Sequence, residues 1–145
     1  MPKYRSSWEN SFCYFLDHEP RVTKWCFECC RIPYRCLTDG QIHTYITDFY
    51  FEEVDNNNRK RKFIVEVKPL KQLKPPRNTK RKRKKTYLYE QNTYLKNASK
   101  WTAAEQFCNK HGFEFRIVCF VKDKNTGNMI QRVFKYSDLN INING

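Results

Sequence analysis

The chain has 145 residues, about the size of one domain with one hydrophobic core. No run approaches the roughly 20 apolar residues of a membrane span. Met1-Pro2-Lys3-Tyr4-Arg5 leads into Ser-Ser-Trp-Glu rather than a signal-peptide core, so a soluble, intracellular protein is expected. Seven cysteines, an odd number scattered through apparent helices and strands, are expected as reduced thiols rather than a disulfide framework. The net charge is +13, and residues 59–85 account for all of it, with 14 of the 28 Lys and Arg and one acid, Glu66. Such a block is the footprint of a polyanion partner, because each phosphate neutralised releases counterions. A solvated basic loop, or a nuclear-import-like signal at residues 80–85, would carry the same charge.

Ser6-Ser7-Trp8-Glu9 fits a capping box, and Trp8, Phe12, Phe15 and Leu16 follow at helical spacing. A first helix is predicted over residues 7–19, stopped by Pro20. Residues 25–34 suit a marginal strand, and Thr38-Asp39-Gly40 a turn. Residues 43–52, rich in β-branched and aromatic types, read as one strand buried on both faces with Asp48 inside it. After a loop at residues 55–58, residues 63–68 read as the next strand, antiparallel to the last and closed by Pro69. Residues 69–86 lack apolar periodicity and are expected to form a mobile basic loop. A second helix is expected over residues 87–111, stopped by Gly112. A hairpin of strands at 113–121 and 129–136 follows, then a frayed tail from 140 to 145. The predicted class is mixed α/β, an αβββαβ order with an extra C-terminal strand, in a single domain.

A carboxylate inside a strand apolar on both sides is costly unless a cation or hydrogen bonds compensate it, which singles out Asp48. Glu66 and Lys68 repeat the anomaly. They lie two residues apart, so both project from one face about 6 to 7 Å apart, while Phe63, Val65 and Val67 point the other way. Two carboxylates on successive strands with a lysine beside them suit Mg²⁺, which takes carboxylate oxygens and water. Such a metal would polarise a phosphodiester and acidify a bound water, with Lys68 orienting the nucleophile or stabilising the developing charge. An ordinary Glu66–Lys68 ion pair, with Asp48 capping a turn, would show the same spacing. Glu9, at the margin of the first helix's apolar stripe, could reach this site or serve the capping box. His43 reads as a phosphate contact or as a structural histidine. Cys26-x2-Cys29 lacks a second ligand pair at zinc-site spacing, and these cysteines are read as core residues.

Several stretches together resemble the head completion nuclease family of T-even-type tailed phages. They are Tyr4-Arg5-Ser6-Ser7-Trp8-Glu9, Leu16-Asp17, Trp25 with Glu28, Ile32-Pro33-Tyr34, Asp48-Phe49-Tyr50, Glu66-Val67-Lys68-Pro69, Lys74-Pro75-Pro76 and Lys100-Trp101-x3-Glu105-Gln106-Phe107-Cys108. More distantly the pattern is similar to TnsA-type transposon-end endonucleases. The resemblance implies a PD-(D/E)XK nuclease fold and Mg²⁺-dependent cleavage of DNA, with Mn²⁺ able to substitute, at the packaged DNA end before tail attachment. It implies Glu9, Asp48, Glu66 and Lys68 as catalytic residues, and Asp48, Glu66 and the Val67 carbonyl as metal ligands with Glu9 as a further candidate. DNA contacts are expected from Lys71, Lys74, Arg77, Lys80, Arg81, Lys82, Arg83, Lys84 and Lys85. Partners would be DNA and portal or head-tail connector proteins, and the location the infected host's cytoplasm and the phage head. The run of Lys and Arg at 80–85 and the hairpin after Val121 depart from the family pattern. A binding protein on a nuclease scaffold and a branch-specific resolvase or repair nuclease remain alternatives.

Overall fold

The computed structural model describes residues 7–141. Helix α1 (Ser7–His18) precedes strands β1 (Val22–Phe27), β2 (Arg31–Arg35), β3 (Ile42–Ile46), β4 (Phe49–Val54) and β5 (Lys60–Val67). A 3-10 turn (Leu70–Leu73), helix α2 (Lys84–His111), strands β6 (Glu114–Lys122) and β7 (Met129–Phe134), and a second 3-10 turn (Tyr136–Leu139) complete it. Five strands form a mixed sheet in the order β1-β4-β5-β6-β7. Only β5 and β6 run parallel, joined through α2, as a parallel pair requires a long crossover. β2 and β3 make a separate antiparallel ribbon.

The alternation along β5 decides what packs on each face. Phe63, Val65 and Val67 join Phe12, Cys13 and Leu16 of α1 in one cluster, while Ile64 joins Trp101, Ala104 and Cys108 of α2 in the other. The β2–β3 ribbon lies on the α2 side, contributing Ile32, Tyr34 and Tyr45. At the end of α2, Gly112 takes φ 74°, a left-handed conformation that glycine adopts without a Cβ penalty, and its N–H donates to the Cys108 carbonyl. No helix among the described residues is long and apolar enough to cross a membrane.

Four expectations need correction. The strand expected over residues 43–52 is two strands, β3 and β4, broken at Thr47 and Asp48. The marginal strand over 25–34 is likewise divided into β1 and β2. The two breaks lie side by side: the Glu28 N–H donates to the Asp48 carbonyl at 2.8 Å and the Thr47 N–H to the Cys30 carbonyl at 3.1 Å. The chain leaves the main sheet for the ribbon at one break and returns at the other, so continuous strands are geometrically excluded. Glu28 absorbs the turn at φ 54°.

Third, Cys26 and Cys29 are joined in a disulfide across this turn, with Cα atoms 6.0 Å apart, while the other five cysteines are free thiols. Fourth, the segment expected as a mobile loop is partly built in. It carries the first 3-10 turn with Leu73 buried, and α2 starts at Lys84, so the end of the basic run is helical. Leu139 is buried and Ile141 packs against the α2-side core, so packing reaches into the expected tail; its residues 142–145 lie outside the described residues, as does Ser6 of the expected capping box.

Candidate active site

Asp48 sits where β3 ends and β4 begins, a bend whose backbone is not tied into either ladder. Its Oδ2 accepts the Val67 N–H at 2.8 Å, which holds the carboxylate against the C-terminal end of β5. Glu66, the next inward residue after Ile64 on β5, is buried and accepts a hydrogen bond from the buried Tyr45 hydroxyl. Lys68 Nζ lies 3.5 Å from Glu66 Oε1. Glu9 enters from the first turn of α1, where an acid also suits the positive end of the helix dipole, and it too is buried. All four side chains line one cleft of about 270 Å³ at the end of β5.

The electrostatics mark this cleft as unlike the other buried acid of the sheet. Glu52, only 4% exposed, receives the Tyr50 hydroxyl at 2.6 Å and the ammonium groups of Lys24 and Lys60 at 3.1 and 3.3 Å. The Tyr50 hydrogen bond and these two lysines hold it well below the usual carboxylate range, at about 2. Asp48 goes the opposite way and is pushed up to about 8. Burial is the main cause and the neighbouring Glu66 charge the next, only partly offset by the Val67 N–H. Glu66 is raised as well, by burial, against the pull of Lys68, Tyr45 and Lys100. A pair of carboxylates left short of positive charge, beside a lysine and open to solvent through a cleft, is electrostatically poised for a cation.

The donor set fits a hard divalent ion. Among the described residues no three His, Cys, Asp or Glu side chains are grouped closely enough to form an all-side-chain metal cage. Mg²⁺ does not need one, since it is commonly held by one or two carboxylates, completed by water and substrate oxygens. Asp48 and Glu66, which line the cleft together with Val67, could offer two such carboxylates.

Two contributors escaped sequence reasoning. Tyr45 holds Glu66 from the ribbon, and Lys100 reaches the cleft from α2 with its Nζ 5.5 Å from the Tyr45 ring centroid. Burial pushes the Lys100 ammonium down, while Glu66 pulls it up. A lysine next to the buried stripe Asn97, Trp101, Ala104 and Cys108 was the available signal. His43 is not part of this group: its Nε2 lies 2.7 Å from Asp39 Oδ2, and its ring packs against Tyr34. Of the basic residues, Lys71, Lys74 and Arg77 line a second cavity, Lys82 is tied to Arg77 and Glu90, and Lys80, Arg81, Arg83, Lys84 and Lys85 are exposed.

A family model described as TnsA-like endonuclease N terminal matches residues 19–119, which span Asp48, Glu66, Lys68 and Lys100. The chain belongs to this endonuclease family. It is a nuclease by that membership, and its mixed sheet flanked by helices is consistent with the family's nuclease domain. The head completion nuclease of Enterobacteria phage T4 is 33% identical to it over 118 residues, covering 79% of this chain and 76% of the relative. No solved structure matches the chain. Glu9 precedes the matched segment, and its place in the cleft rests on the geometry of α1 alone.

Proposed function

We propose that the chain is a Mg²⁺-dependent endodeoxyribonuclease that hydrolyses phosphodiester bonds of DNA at the packaged end during head completion of a tailed phage, in the infected cell and the virion. The observation that carries this reading is the convergence of Asp48, Glu66 and Lys68 in one cleft, with Asp48 held in a state that a cation would relieve. The relative named as a head completion nuclease supports the biological setting, and the basic segment supports a DNA partner.

Asp48, Glu66 and the Val67 carbonyl would hold the ion, with Glu9 lining the same cleft. Bound there, the ion would supply Lewis acidity toward the phosphate and a water of lowered pKa. The protein's own groups prepare the rest. Tyr45 fixes Glu66 through Oε2 and the Val67 N–H fixes Asp48 through Oδ2, while Lys68 stands beside Glu66 Oε1. From there Lys68 would orient the attacking water and offset the negative charge that builds on the oxygens of the pentacovalent phosphorus. The water oxygen bonds to phosphorus, one P–O ester bond breaks, and the departing oxygen takes a proton. Lys100 adds a second cation on the α2 side.

The test is cleavage of linear, circular and branched DNA by the full chain with Mg²⁺, Mn²⁺ or EDTA. Cutting that requires the metal and includes a closed circle is expected. Failure to cut any form with either metal would overturn the reading in favour of a DNA- or portal-binding head protein.

A further inference from the structure

The second cavity, about 650 Å³, lies between the segment after β5 and the first half of α2. It shares Gln72 with the catalytic cleft, so the two spaces adjoin. One wall carries Lys71, Lys74 and Arg77; the other carries Tyr89 and Tyr94 of α2. Tyr89 is 73% exposed, a large aromatic ring held at the surface with no core to fill. The walls are fastened together. Lys82 Nζ donates to the Arg77 carbonyl at 2.5 Å and to Glu90 Oε2 at 3.2 Å, which also neutralises the acid in the cavity.

We propose that this cavity binds an unpaired DNA strand beside the scissile bond, so that the enzyme prefers splayed or frayed DNA to uniform duplex. The inference rests on the nuclease reading of the adjoining cleft and adds its substrate form. Cations alone would serve a duplex, whose phosphates face outward and whose bases are stacked on one another. A recess that pairs cations with tyrosine rings matches a strand whose bases are free to stack on protein, and base–aromatic stacking is the sequence-tolerant contact of single-strand sites. The shared Gln72 boundary would let the strand pass from the recess to the cleft.

The experiment compares a blunt duplex with a splayed duplex of equal strand length, so that the number of phosphates is matched and the lower charge density of the splayed arms would, on electrostatics alone, favour the blunt form. Binding of the full chain is read by fluorescence anisotropy in EDTA, where nothing is cut. A 2-aminopurine at the first unpaired position reports stacking. Wild type is expected to bind the splayed form about tenfold or more tightly, with quenched 2-aminopurine. Tyr89→Ala should lose most of that preference while keeping its affinity for blunt duplex, Tyr89→Phe should retain it, and Lys68→Ala should retain it. Equal binding of both DNAs by wild type, or an undiminished preference in Tyr89→Ala, would overturn the proposal. A Tyr89-dependent preference in a protein that cuts no DNA form with Mg²⁺ would uphold the strand site and sink the nuclease reading instead.

Discussion

Lys68 and Asp48 set a cation and a carboxyl group of raised pKa in one cleft, and their replacement should separate binding from chemistry. Lys68→Ala removes one of 28 cations, most of them remote from the cleft, so DNA affinity should change little. The rate should fall about 100- to 1,000-fold, the usual loss when one preorganised stabilising charge is removed. Single-turnover nicking alongside anisotropy measures both, and a wild-type rate in a folded variant would refute the assignment. Asp48 adds a pH signature. Its carboxyl is raised from the usual range to about 8 in the fold but titrates normally in the unfolded chain. As pH climbs between those values, the unfolded state loses its proton while the fold must keep it or bear an uncompensated charge. Stability of the metal-free protein should therefore decline from about pH 4 to 8 and then level off. Thermal melts in EDTA should show a lower Tm at pH 8 than at pH 5, and Asp48→Asn should shrink that difference. Added Mg²⁺ should raise Tm more at pH 8 than at pH 5, because only the ionised site binds it.

At the scale of elements, the basic segment divides into residues that hold the structure and residues available to a polyanion. Lys82 bridges the Arg77 carbonyl and Glu90, half-buried against α2, whereas Lys80, Arg81, Arg83, Lys84 and Lys85 are exposed around the helix start. Changing those five to Gln should leave Tm nearly unaltered and flatten the salt dependence of DNA binding by about 0.9 in log–log slope for each phosphate that is no longer neutralised. An unchanged slope would remove the segment from the DNA interface. Lys82→Ala should instead open the connection between residues 74 and 83 to limited proteolysis while changing the slope by at most about 0.9. Equal protease resistance of variant and wild type would show that the clip is not what holds the segment.

Over the whole molecule, the cleft depends on α2 being seated, because Lys100 and the Trp101 side chain leave adjacent positions of that helix toward the cleft and the core. Trp101 is fully buried among residues of β2, β5 and β6. Trp101→Ala should cost about 3 to 5 kcal/mol through reduced burial and the cavity left behind. The melting temperature should drop by roughly 6 to 20 °C for a domain of this size. Calorimetry decides this, and a loss under about 1 kcal/mol would mean that α2 is not the element clamping this face.

The sequence by itself determined the elements whose signals are local: the apolar spacing of α1, the Gly112 stop of α2, the β6–β7 hairpin, and the alternation of β5 that puts Glu66 opposite Phe63, Val65 and Val67. It also marked Asp48, Glu66 and Lys68 as anomalous, since a charge among apolar neighbours can be read without knowing the fold. Only the tertiary structure decided where strands break, because Asp48 and Glu28 sit among strand-forming neighbours with no Gly or Pro to mark a turn, and the chain bends there to exchange one sheet for another. It alone brought Tyr45 and Lys100 to the cleft, 21 residues before and 34 after Glu66. Membership of a site assembled across two sheets and two helices is set by packing between distant segments, and no spacing along the chain encodes it.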